Sequence, residues 1–358
     1  VHWCGAFPPW CPNRSGYTPH VSSPRPTQTD VARRAGVSRA LVSLVVRGAP
    51  HVREEKRQAV LAAITELGYR PHAAAAHLAA RRTNTIGVVV PELRNPFFGE
   101  LAEGVQKVAR RRSMKVLIAI GGHTAQEQQV AAEGFVEGRA DALVIVSPRM
   151  TDTALQRVGR AMPTCVVGGE TRAHDVSWVA ADDEQGGRLA ARYLLDRGRM
   201  HLAHVGPTGT GAEKAARDRV RGFEGEARSG GATVYRIDVH DEASPTRWQQ
   251  VVAELSASTC DGVATHNDMI ALSLLAAHGG AAGGVQARAE SGEVWGDARW
   301  FEAVVGYDNT AMGALPAISL TSIDQRADDL ATLAVEAVCE LGPVRQRVAP
   351  RVVVRQSG

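Results

Sequence analysis

Between Thr27 and Gly68 the chain carries helix start and stop signals spaced so closely that only short helices fit between them. Thr27 precedes Asp30 at capping-box spacing, and Val31, Ala32 and Ala35 give the helix that follows one apolar face. Gly36 ends it, Val37 supplies an apolar plug, and Ser38 is placed to cap a second helix from Arg39 through Val45. Two short helices across a Gly-containing turn predict a helix-turn-helix. A third helix is expected from about Glu54 to Leu67, with Val60, Leu61, Ile64 and Leu67 closing a three-helix core before Gly68 stops it.

Charge points the same way. From Arg25 to Arg82 there are eleven Lys/Arg against four Asp/Glu, a net +7, whereas the whole chain carries only +3. A basic head on an acidic body is the footprint expected for binding phosphate. A helical hairpin with a solvated basic face is the plainer alternative, and the coincidence of cap, turn and charge argues against it.

The remainder reads as an α/β body. After Asn84, short β-rich runs alternate with helical segments, the pattern of a parallel sheet covered by helices. Ile86–Val90, Val116–Ile120, Leu143–Val146 and Cys165–Val167 form one group of runs. Leu202–Val205, Val234–Ile237, Val263–Thr265 and Val304–Gly306 form another, and each group suffices for one doubly wound lobe. A ligand is expected between the lobes, at the strand C-terminal ends. At 358 residues there is room for two or three domains, and no apolar run approaches the roughly eighteen residues of a membrane span. Five cysteines lacking zinc-site spacing fit a reducing cytoplasm, so no metal and no cofactor is expected. Residues 1–26 lack the pattern of a signal peptide and read as a disordered extension or an upstream misassigned start.

The segments Asp30-Val-Ala-x-x-Ala-Gly-Val-Ser38, Val42-Ser43, Glu66-Leu-Gly-Tyr-Arg-Pro71 and Leu78-Ala79 resemble the head of the LacI family of bacterial transcription repressors, and the resemblance continues to Arg355. It implies a DNA-binding head over 27–70, a hinge helix over 71–83, and a two-lobed body over 84–358 with the fold of periplasmic sugar-binding proteins. Lobe 1 would take about 84–181 and 325–341, and lobe 2 about 183–323 and 350–357. In the family the second helix enters the major groove, and Arg39, Ala40 and Leu44 match its base-reading positions. Leu44 stands where an arginine commonly contacts bases, which leaves Arg39 as the clearest hydrogen-bonding reader, suited to guanine O6 and N7. Thr27, Ser38, Ser43, Arg47, His51 and Tyr69 complete the DNA-facing set implied for the head. In the hinge the set is His72, Ala75 and Leu78, with Leu78 in the place of a leucine that wedges between base pairs in the minor groove.

For the cleft the resemblance singles out Asn95 and Phe98, then Arg219, Asn267, Asp308 and Gln325. Arg219 would donate a fork to ring oxygens, Asp308 and Asn267 would bind hydroxyls, and Phe98 would offer an apolar face. An acidic sugar contact of some members is Gly168-Gly169 here. The implied protein is a homodimeric repressor controlled by a small sugar-like effector, with double-stranded operator DNA of pseudo-palindromic sequence as its other partner and no membrane. The absence of a C-terminal heptad repeat leads to the expectation of a dimer rather than a tetramer.

Two other classes compete. A solute-binding protein of a transporter would need a signal peptide. A sugar-phosphate or nucleotide enzyme would need a phosphate motif, but Gly206-Pro-Thr-Gly-Thr-Gly211 is followed by no Gly-Lys-Ser/Thr. His201-x-x-His204 and His266 lack companion ligands, and no nucleophile elbow or triad appears. The segment from Ala281 to about Phe301, with Trp295 and Trp300, is longer than this connection usually is in the family and reads as a surface insertion.

Overall fold

The computed structural model describes residues 26–46, 49–69, 83–207, 214–239, 244–281, 303–340 and 342–357. Arg47, His72, Ala75 and Leu78, the terminal extension and most of the insertion lie outside the described residues. The chain divides into two units, Val1–Arg81 and Arg82–Gly358.

In the first unit α1 (Gln28–Ala35), α2 (Arg39–Val46) and α3 (Glu54–Leu67) form the three-helix head. The capping box is present in both directions: the Thr27 side chain accepts from the Asp30 N–H, and the Asp30 carboxylate accepts from the Thr27 N–H and hydroxyl. Gly36 takes the left-handed φ of 62° that closes α1, a conformation that costs glycine least. Val31, Val42, Val45, Val60, Ala63 and Tyr69 form the core, with Val37, Ile64 and Leu67 packed against it. Leu61, expected in that core, is instead 43% exposed. At 100° per residue Val60, Ala63, Ile64 and Leu67 share a face, and Leu61 falls off its edge.

The second unit contains two six-stranded sheets. β1 (Thr85–Val90), β2 (Lys115–Ile120), β3 (Ala142–Val146), β4 (Thr164–Val167), β5 (Val176–Ala181) and β11 (Arg345–Val348) form lobe 1, in the order β11-β5-β4-β3-β1-β2. β6 (His201–Gly206), β7 (Thr233–Asp238), β8 (Gly262–Thr265), β9 (Val304–Tyr307), β10 (Thr321–Asp324) and β12 (Arg351–Val353) form lobe 2, in the order β12-β10-β9-β8-β6-β7. Described strand pairs are parallel except β10 with β12. Besides the eight runs expected from the sequence and a last strand expected at Val352–Val354, the sheets contain β5, β10 and β11; β10 is polar except at Ile323, and β11 reads Arg-Gln-Arg-Val.

Helices cover both faces of each sheet. In lobe 1, α4 (Pro96–Arg111) and α11 (Ala327–Cys339) pack over one face, and α5 (Ala125–Glu137) and α6 (Asp152–Ala161) contribute to the cluster on the other. In lobe 2 the pairs are α7 (Asp183–Leu195) with α8 (Lys214–Ser229), and α9 (Pro245–Ala257) with α10 (Asp268–Ala281). Cys165 and Cys260 are buried core residues, whereas Cys339 is exposed at the end of α11. Between β5 and α7, between β10 and α11, and between β11 and β12 the chain passes from one lobe to the other.

Candidate functional site

On the head, α2 separates its residues by face. Val42 and Val45 turn into the core, while Arg39, Ala40 and Leu44 are exposed and Ser43 is half-buried beside them. At helical spacing those four share one side of α2. Ser38 caps the helix by accepting the Leu41 N–H at 3.2 Å, so its hydroxyl hydrogen stays available to a phosphate. The Thr27 hydroxyl differs, because its hydrogen is already given to Asp30 at 2.7 Å. His51 is exposed, and the Tyr69 ring belongs to the core.

In the body, strands of both sheets deliver the residues that follow them to one crevice. Pro91 and Glu92 follow β1, Ser147 follows β3 and Gly168 follows β4 from lobe 1. Pro207 follows β6, His266 and Asn267 follow β8, and Asp308 follows β9 from lobe 2. Together with Asn95, Phe98, Arg219 and Gln325 they line a cavity of about 420 Å³. The six residues implied for the cleft therefore converge, although 230 positions separate Asn95 from Gln325.

Asn95 is held by the start of α4, whose Phe97 N–H donates to its Oδ1 at 3.0 Å. Its Nδ2 reaches across to Asp308 Oδ2 at 3.4 Å, and Gln325 Nε2 donates to Asp308 Oδ1 at 2.5 Å. Asp308 is thus met from lobe 1 and from the second crossing before any ligand arrives. Burial, aided by the nearby Asp268 carboxylate, pushes its carboxyl well above the ordinary range, against the pull of Arg219, Gln325 and Asn95.

Arg219 is likewise engaged before any ligand arrives. Its Nε donates to Asp183 Oδ1 at 2.8 Å, its Nη1 donates to the His266 carbonyl at 2.7 Å, and its guanidinium lies 3.7 Å over the Tyr307 ring. Nη2 carries no hydrogen bond to a described residue and Nη1 keeps a second N–H, so the two terminal nitrogens still hold donors for the expected fork. Burial opposes the charge, but Asp183, Tyr307 and Asp308 outweigh it and the guanidinium pKa is raised. The Tyr307 hydroxyl also donates to Asp183, at 3.2 Å.

The local sequence explains this proximity. A Cβ on Gly187 of α7 would collide with the Arg219 carbonyl, and one on Gly222 of α8 with the Glu184 carbonyl. Two glycines therefore let α7 and α8 cross closely enough to set Asp183 against Arg219. Asn267 Oδ1 accepts the Ile270 N–H at 2.8 Å, so this residue caps α10 while lining the cavity. Phe98 is half-buried on the lobe 1 wall, edge-on to Phe97. Asp183 and Tyr307 were not picked out from sequence. The signal for Asp183 was a second acid beside the Asp182 cap at the first crossing, and Tyr307 sat unassigned inside Gly306-Tyr-Asp308. Among the described residues no group of three or more His, Cys, Asp or Glu is arranged to hold a metal, and no helix is long and apolar enough to cross a membrane.

Residues 27–72 match the family model described as bacterial regulatory proteins of the lacI family, and residues 86–342 match a periplasmic binding protein domain. The HTH-type transcriptional regulator GalR of Escherichia coli (strain K12) is 33% identical over 254 residues, covering 68% of this chain and 72% of the relative. GalR of Salmonella typhimurium (strain SL1344) is 30% identical over 346 residues, covering 92% and 95%. The chain belongs to the LacI family. Like those relatives, this family member is a helix-turn-helix, DNA-binding transcriptional regulator. The lac repressor dimer bound to operator and the anti-inducer ONPF shares its fold, with a TM-score of 0.73 at 23% identity over 93% of this chain and 98% of that one. A complex of the transcriptional regulator CelR with cellobiose superposes with a TM-score of 0.62 at 25% identity, over 93% of this chain and all of the other.

Proposed function

We propose that this LacI-family chain represses transcription as a homodimer whose heads read half-sites of a pseudo-palindromic operator and whose cleft takes up a small sugar-like effector. The observation that carries the effector reading is the convergence of Asn95, Arg219, Asn267, Asp308 and Gln325 on one cavity. Amide, guanidinium and carboxyl groups alternate there beside an aromatic ring, the chemistry that suits a polyol with one apolar face. Relatives and neighbours named for galactose-type regulation, ribose operon repression and a cellobiose complex agree with a sugar.

Arg39 is the base reader, Ser38, Ser43 and His51 are backbone contacts, and Leu78, outside the described residues, is the minor-groove wedge. Cleft closure acts by population shift, so the effector must bind the operator-competent and free conformations unequally. For the dimer, the edge strand β2 exposes Leu117, Ile118 and Ile120, each more than half accessible. An unpaired apolar edge is suited to covering by a second copy.

The test is fluorescence anisotropy on operator fragments from the gene's own upstream region, at 50 and 200 mM salt, with and without D-galactose, D-ribose or cellobiose. Binding should weaken by about 10³-fold or more over that salt range and shift again with the sugar that fits. Salt-insensitive binding with no sequence preference would end the reading. Ile118→Lys should give a monomer by light scattering, with weakened operator affinity and retained sugar uptake. A dimer unaffected by Ile118→Lys would remove β2 from the interface.

A further inference from the structure

Asp308 sits on backbone that side chains rarely tolerate. Its φ is 109° and that of Asn309 is 57°, two consecutive left-handed residues, neither of them glycine, at the end of β9. Such a turn persists only where its surroundings over-determine it.

The surroundings converge on one carboxylate. Asp268, the first residue of α10, is fully buried and does not line the cavity. Its Oδ2 accepts the Thr310 N–H at 2.7 Å and the Thr310 hydroxyl at 2.9 Å, and its Oδ1 accepts the Ser322 hydroxyl at 2.6 Å. Because the Ser322 hydrogen points to Asp268, its oxygen is free to take the Asn309 N–H at 2.9 Å. The turn after Asp308 is therefore tied to Asp268 directly at Thr310 and through Ser322 at Asn309. Space around the carboxylate is kept by Gly306 and Gly313, where a Cβ would crowd Asp268. Arg355 Nη2 donates to the Asn309 side-chain Oδ1 at 2.6 Å.

We propose that Asp268 is a positioning residue for effector binding: it clamps the left-handed turn that presents Asp308 to the cleft, without touching the effector itself. This rests on reading Asp308 as an effector contact. The arrangement suits a carboxylate, since all three groups facing it donate to it. An amide at position 268 would turn an N–H toward one of them, so that either the Thr310 N–H loses its acceptor or the Ser322 hydroxyl must reverse its bond and redirect its hydrogen.

Hydrogen exchange on the full chain without ligand tests the clamp. Asp268→Asn and Thr310→Val should speed exchange of the Asn309 and Thr310 amides by about tenfold or more, while β6 amides keep their protection. Thr310→Ser, which keeps the hydroxyl, should behave as wild type. Unchanged exchange at Asn309 and Thr310 in Asp268→Asn overturns the proposal, and so does uniform acceleration across both lobes. Calorimetry with D-galactose, D-ribose and cellobiose separates the clamp from the reading beneath it. The sugar taken up by the wild type should be lost in Asp308→Ala and bound about tenfold more weakly by Asp268→Asn. Uptake undiminished in Asp308→Ala defeats the effector reading. Uptake lost there but intact in Asp268→Asn defeats only the clamp. A wild type that takes up none of the three defeats the sugar assignment, and exchange still decides on the clamp.

Discussion

The head and the cleft hold the side chains proposed for DNA and effector binding in opposite ways. Arg39, Ala40 and Leu44 stand in solvent on α2, whereas Asn95, Arg219, Asn267, Asp308 and Gln325 are buried, with internal hydrogen bonds fixing their positions. The difference follows from the partners. DNA is large and brings its own phosphates and base edges, so its readers can wait hydrated and dock against a ready-made polar surface. A small effector supplies few contacts, so the groups that receive it must be in place beforehand or their ordering would consume its binding energy. Substitutions on α2 should therefore act singly, and substitutions in the cleft should propagate.

The largest break between the two regions is expected at Arg219. Removing its guanidinium leaves Asp183 buried without its cation, takes a donor from the His266 carbonyl and strips the cover from Tyr307. Arg219→Ala should cost about 3–5 kcal/mol of body stability in urea unfolding at neutral pH, besides abolishing effector uptake. Asp183→Asn in the same chain should recover part of the loss, because the uncompensated charge is gone; strict additivity would show that the ion pair is not the unit that matters. Unfolding indistinguishable from wild type in Arg219→Ala would erase the contrast with the head.

Arg39→Ala sharpens the other side. With no hydrogen bond or ion pair to a described residue to lose, it should leave stability within about 0.5 kcal/mol of wild type and effector affinity unchanged. Discrimination at one operator position should fall by roughly 1–3 kcal/mol, read by anisotropy against single base-pair variants of the operator. An equal loss at every sequence would make Arg39 a phosphate contact.

The same contrast governs how far each region was legible in the sequence. The head is local: cap, turn glycine and stop lie within a few residues of the helices they bound, so α1, α2 and α3 were recoverable, and Leu61 failed only because it sits one helical position off the buried face. The cleft is assembled from strand ends hundreds of residues apart, and motif resemblance located Asn95, Arg219 and Asp308 without stating what they touch. That Arg219 would be occupied by Asp183 depends on the α7–α8 crossing, which two glycines permit but no periodicity announces. Strands β10 and β11 escaped for a related reason. β10 is buried but polar, because Thr321, Ser322 and Asp324 spend their side chains on the turn, the C-terminal segment and the crossing rather than on an apolar core.

Acidification should separate the two regions with the smallest of these effects. In the head, Asp30 is held below its usual range first by the Thr27 hydroxyl and backbone N–H, so whatever it contributes is present at neutral pH and is lost only as pH falls through its depressed value, below 3.8. In the body, burial pushes Asp268 up to about 6, against the pull of the Ser322 and Thr310 bonds. A folded pKa above the unfolded one means a contribution that is full below the unfolded value near 3.9 and lost as pH rises through the folded value. Between pH 7 and pH 5 the body should therefore gain about 1 kcal/mol from Asp268, while Asp30 leaves the head unaffected. Asp308, also raised by burial, works in the same direction, so the Asp268 share is the difference between wild type and Asp268→Asn in urea unfolding at the two pH values. Protonation turns one Asp268 oxygen from acceptor into donor, so this gain in stability should accompany a loosened turn at Asn309 and Thr310. Equal gains in both proteins would mean that Asp268 titrates alike folded and unfolded, and that burying it sets no opposition between holding Asp308 in place and keeping the lobe stable.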